Sequence, residues 1–145
     1  MPTIPEAITI ALQHHQAGRL QEAEAIYRQI LEIQPANHVA LHHMGLIAHH
    51  VGKPQIAVDY MSRAIAIHPD EATCHNNLGE AYRMMGNAEK AAAHFEQATR
   101  LKPAYADAFY NLGVLLHEQG KLEEAGAYYH KALSLQPASP WASNN

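Results

Sequence analysis

Asparagine and histidine are the side chains through which this chain could do chemistry, and both recur at an interval of 34 residues. One series reads Thr9, His43, Asn77, Asn111 and Asn145. A carboxamide carries two N–H donors and an acceptor oxygen. Set at a constant interval, such amides could grip the backbone of an extended peptide whatever its side chains. The alternative is that each simply bonds a neighbouring helix or loop. A second series reads His15, His49, Arg83 and His117. It is either a weakly basic stripe that attracts acidic peptides, more strongly at acid pH, or a set of positive groups well placed near helix C-termini. Histidine is frequent, 12 in all, and His38, His42, His43, His49 and His50 crowd one segment. His38 and His42 are one helical turn apart, so their rings can share a side. Such a pair could hold nickel, zinc or copper weakly. A defined zinc site normally has four ligands, and no Cys, Asp or Glu stands beside this pair. A solvated histidine-rich face is the plainer account.

Catalysis finds little support. There is no phosphate-binding glycine loop, no HExxH and no G-x-S-x-G elbow. The single cysteine, Cys74, cannot form an intramolecular disulfide or a cysteine-based zinc site. Its neighbour His75 is adjacent along a helix, which does not make a dyad. The chain is therefore expected to be no enzyme and to need no cofactor. Net charge is −4 with histidine neutral, and no basic run exists, so nucleic acid is a disfavoured partner. No apolar run approaches the ~20 residues that span a bilayer. The N-terminus lacks the profile of a secretory signal. These features point to a soluble cytoplasmic chain.

The same interval governs the elements that must hold these side chains. Pro35, Pro69, Pro103 and Pro137 keep it, as do Gly18, Gly52, Gly86 and Gly120, and Ala23, Ala57, Ala91 and Ala125. Fixed self-similarity of this length is the signature of stacked supersecondary units. With the proline at position 32, the repeats are 4–37, 38–71, 72–105 and 106–139, and a fifth is cut at 140–145. Helix A is expected over roughly 5–16, 37–50, 71–84 and 105–118, and helix B over roughly 20–33, 54–67, 88–101 and 122–135. Glycine at position 15 ends helix A, and proline at 32 stops helix B. Thr3 with Glu6 makes a capping box, and Pro54 sits where a helix's first turn tolerates it. Position 7 (Ile10, Met44, Leu78, Leu112) should be core. Small residues at position 8 (Ala11, Gly45, Gly79, Gly113) should let helices approach closely. The fold expected is all-α, a right-handed α-solenoid of antiparallel helix pairs, as one array over 1–145.

These units resemble the tetratricopeptide repeat (TPR) family. The likeness is strongest in NNLGEAYRMMGNAEKAAAHFEQATRLKP and YNLGVLLHEQGKLEEAGAYYHKALSLQP. Repeat 3 meets all six family positions, with Gly79, Tyr82, Ala91, Phe95, Ala98 and Pro103. Repeat 4 departs at Leu116, and repeat 1 is weakest. The resemblance implies a concave groove lined by the A helices. Its groove positions would present Ile8, His42, Asn76 and Tyr110; Leu12, Leu46, Glu80 and Val114; and Gln16, His50, Met84 and Glu118. The asparagine series is similar to the ladder of the O-GlcNAc transferase superhelix, and the chain looks like an N-terminal region of a bacterial relative. The subclass that clamps chaperone C-termini needs lysines and an arginine on helix A. Here those places hold Ile8, Leu12, Thr73 and Asn77, which disfavours that reading.

Asn145 would then be position 6 of a fifth repeat, which makes the chain an expected fragment of a longer array; the alternative is a natural polar tail. Tyr129, Leu133 and Leu135 would want a further helix to cover them, or Trp141. Failing that, an uncapped end would favour self-association. The function expected is a scaffold for a protein or extended peptide. A self-assembly module and a histidine-based metal or pH-responsive binder are the alternatives.

Overall fold

The computed structural model describes residues 1–135. Pro137, Trp141 and Asn145, and with them the expected fifth repeat and its covering role, lie outside the described residues. Among the described residues there are eight α-helices and no strand. They are α1 (Ile4–Gln16), α2 (Leu20–Ile33), α3 (His38–His50), α4 (Pro54–Ile67), α5 (Ala72–Met84), α6 (Ala88–Leu101), α7 (Ala106–Glu118) and α8 (Leu122–Leu135). Each B helix has the bounds read from the sequence, and each A helix begins within a residue of them.

The ends of the helices follow from local chemistry. The Glu6 N–H donates to Thr3 Oγ1 at 3.3 Å, and the Thr3 N–H donates back to Glu6 Oε1 at 3.1 Å. Asn37 and Asn87 cap α3 and α6 by accepting from the N–H groups of Ala40 and Lys90. Each A helix is closed by a glycine at φ between 78° and 80°. That left-handed turn lets the next N–H reach back to a helix carbonyl, as Lys53 does to Ala48 O at 2.8 Å and Asn87 to Tyr82 O at 2.9 Å.

The helices group into two compact units, one over Met1–Pro69 and one beginning at Asp70. In the first, α1 packs on α2, α2 on α3 and α3 on α4. Its core joins Ala11, Ala23, Tyr27, Ile30, Ala40, Met44 and Ile47. Ile10, expected in the core, is 39% exposed; it lies on the first helix, which packs chiefly on α2. In the second unit α5 packs on α6, α6 on α7, α7 on α8, and α5 also touches α7. Ala91, Phe95, Leu112 and Leu115 form its core cluster.

Position 8 faces position 24 in both units. A Cβ at Gly45 would meet Met61 Cγ at 2.5 Å, one at Gly79 would meet Phe95 at 2.6 Å, and one at Gly113 would meet Tyr129 at 2.7 Å. The absence of a side chain is thus what brings helices A and B of a repeat into contact. Fully burying a ring such as Phe95 contributes about 1.5–3 kcal/mol.

Candidate functional site

In the second unit, α5 and α7 run as neighbouring A helices, and a polar network joins them. The Asn111 carboxamide donates one N–H to Asn76 Oδ1 at 2.9 Å and one to Glu80 Oε1 at 3.0 Å. Asn76 is 4% exposed and Asn111 9%. Burying an amide is costly unless it is bonded, and these bonds fix the carboxamide's orientation. Both Asn111 donors are spent inside the protein, so its carbonyl oxygen is the polar group that these two bonds leave for a further contact. The Tyr105 phenol hydrogen-bonds with Thr73 and Asn76 beneath the network, and burial pushes its pKa up. Tyr105 and Thr73 were not among the sequence candidates.

The network continues along the same face. Arg83 Nη1 donates to Glu118 Oε2 at 3.1 Å. Tyr110 packs its ring 5.6 Å from that of Tyr129, and the Tyr129 hydroxyl stands 3.5 Å from Nδ1 of exposed His117. Asn77 is half-buried on α5. Asn111 therefore bonds the neighbouring helix, as the second reading of the asparagine series has it, and its partner is Asn76 and not Asn77.

The first unit gathers imidazoles where the second has amides. His15 Nε2 on α1 lies 3.3 Å from His50 Nδ1 on α3. The His15 ring also meets that of His43 edge-on at 6.3 Å. His43 stacks on Tyr27 at 5.5 Å and on His42 at 5.2 Å. His49 and His50 have ring centroids 5.9 Å apart. Burial, with repulsion from neighbouring imidazoles, lowers the pKa of both His42 and His43 to about 4. Both are thus neutral at pH 7. The Tyr27 hydroxyl and His43 Nδ1 are buried without hydrogen-bond partners, and burial raises the Tyr27 pKa to about 12.

Two expectations shift. His42, Asn76 and Asn111, all given as groove-lining, are buried, at 9%, 4% and 9% exposure. The rings of His38 and His42 do not close on one ion: His38 stacks on His68 at 4.5 Å and His42 on His43. Among the described residues no group of three or more His, Cys, Asp or Glu could hold a metal, and no helix is long and apolar enough to cross a membrane.

The inter-helix contacts share a register. Asn76–Asn111, Arg83–Glu118 and His15–His50 are each separated by 35 residues, one more than the repeat. Each A helix meets the next within its unit one position further on. The repeat length held this signal in plain view, since residues one repeat apart stand beside each other and a one-residue offset is enough to pair unlike positions.

No curated protein matches the chain. Solved structures do. The crystal structure of MamA is 26% identical, with a TM-score of 0.79, over 88% of this chain and 75% of that one. PilF of Pseudomonas aeruginosa is 25% identical, with a TM-score of 0.88, over 97% of this chain and 64% of that one. The first TPR of Spaghetti (RPAP3), bound to the HSP90 peptide SRMEEVD, is 25% identical with a TM-score of 0.69, over 74% of this chain and 85% of that one. Three family models, each described as tetratricopeptide repeat, match residues 37–104, 78–140 and 8–37. With eight helices in the expected pairs and matches running from residue 8 to 140, the chain belongs to the tetratricopeptide repeat family.

Proposed function

We propose that the chain is a scaffold that binds a protein or extended peptide on its A-helix face, with Asn111 as the central contact. The observation that carries this is the buried Asn111 carboxamide, pinned by Asn76 and Glu80 at 2.9 and 3.0 Å. A fixed acceptor beside Glu80 and Tyr110 meets an extended backbone N–H without having to reorganise, which is what makes preorganised contacts effective. Within the same unit, Asn77, Arg83 and His117 supply the flanking polar contacts, and Tyr110 an aromatic one. The peptide-bound relative supports the general mode, since TPR proteins bind peptides and proteins. This surface differs in chemistry from a carboxylate clamp, because Thr73 and Asn77 stand where that subclass carries its cationic or clamp groups. The finer reading makes the array the recognition arm of a larger bacterial protein resembling O-GlcNAc transferase, and it rests on the spacing of Asn77 and Asn111.

The test is a phage-displayed random peptide library panned on the full chain, with selected peptides measured by fluorescence anisotropy. Asn111→Ala and Glu80→Gln should each weaken the selected peptides while circular dichroism keeps its helical signal. Peptides that bind both variants as they bind the parent would sink the proposal.

A further inference from the structure

We propose that His15 Nε2 and His50 Nδ1 form a two-imidazole site for a borderline divalent transition ion of the zinc, nickel or copper(II) class. The two nitrogens come from α1 and α3 and lie 3.3 Å apart. A tetrahedral ion with metal–nitrogen bonds of about 2.0–2.1 Å holds its ligand atoms about 3.3–3.4 Å from one another. The observed spacing is the edge of that tetrahedron. As a hydrogen bond it is longer than the about 2.9–3.0 Å usual for N–H···O pairs. The spacing thus suits a shared ion as well as a shared proton.

Access and protonation agree with this geometry. His50 is exposed and His15 half-buried, so an ion can enter from water. Burial and the His50 ring hold His15 below the usual imidazole range, which keeps it in the neutral form a metal requires. The chain supplies two ligands only, so water or a donor from a bound partner completes the coordination. That makes the site weak and open, unlike the closed four-ligand sites that hold structural zinc.

Two other histidine pairs show what sets this one apart. His75 Nδ1 and His94 Nδ1 stand 3.2 Å apart. His75, however, is 6% exposed, and the Lys90 ammonium acts on His94, so a cation would enter a closed site against positive charge. His38 and His42 stack on other rings.

Zinc chloride and nickel chloride titrated into the full chain near neutral pH, followed by calorimetry and by histidine side-chain NMR, test the site. The expected result is one ion per chain, with the ring resonances of His15 and His50 shifting together. His15→Ala and His50→Ala should each weaken binding by about tenfold or more, since even outer-shell losses cost 10–100-fold. His94→Ala should leave it unchanged. Heat no greater than dilution, or His50→Ala binding as the parent does, overturns the proposal. His50 is exposed, so its variant keeps the fold and decides the question even if His15→Ala does not.

Discussion

Replacing Gly79 with alanine should destabilise the second unit, against the ordinary preference of helices for alanine. The new methyl would stand 2.6 Å from both Cδ1 and Cε1 of Phe95 and 3.1 Å from Cζ. Phe95 is fully buried, so its ring has no room to retreat. Glycine to alanine inside a helix normally gains ~1 kcal/mol, while overpacking a tight core costs about 1–3 kcal/mol. At this distance from a rigid ring the overpacking wins, and we expect a net loss of up to about 2 kcal/mol. Gly126 on α8 is the internal control: nothing lies within 4 Å of its added Cβ and its φ is not positive. Gly126→Ala should therefore stabilise by up to ~1 kcal/mol. Urea denaturation followed by far-ultraviolet circular dichroism reads both. A double variant, Gly79→Ala with Phe95→Leu, should recover part of the loss because the smaller side chain makes room. If Gly79→Ala is as stable as the parent while Gly126→Ala gains, the close approach of α5 to α6 is wrong.

Other expectations follow from the same packing. Asn111→Ala leaves Asn76 Oδ1 buried without its donor and should cost about 1–3 kcal/mol in the same urea experiment; a neutral result would mean the network is slack. His42 has a folded pKa of about 4, below its unfolded value, so the unfolded chain binds more protons between the two. Stability should be full above the unfolded pKa and fall as pH drops from about 6.5 toward 4. His42→Gln should flatten that slope in chelator-treated buffer, and an unchanged slope would remove His42 as its source. Cys74 is 1% exposed and burial raises its thiol to about 12. Ellman's reagent should react with it only on unfolding; rapid reaction of the native chain would contradict its placement.

The helices were legible because each boundary has a local cause that repeats. Glycine at positive φ ends helix A, and proline follows the end of helix B wherever the chain is described. Gly45, Gly79 and Gly113 could be assigned to close approach before their partners were known, since a residue without a Cβ at a fixed place on a helix has few other uses. The candidate site was legible only in part. Asn111 was expected to act in line with Asn77, yet it bonds Asn76. Equal sequence spacing fixes equal position within a repeat, whereas contact depends on how far adjacent A helices are offset. That offset, one residue here, is a property of packing. The same offset hid the His15–His50 pair, while His38 and His42, neighbours on one helix, were visible and turned their rings elsewhere. Tyr105 escaped notice because it stands at the first residue of the expected helix over 105–118, outside the groove positions, and is the N-cap of α7.

A peptide held on the α5–α7 face would lie against Asn111. The most direct test is the ¹⁵N-resolved NMR spectrum of the full chain titrated with a library-selected peptide. The Asn111 side-chain amide and the backbone signals of Glu80 and Tyr110 should shift most and saturate together. Shifts confined to α6 and α8, with the Asn111 amide unmoved, would contradict it.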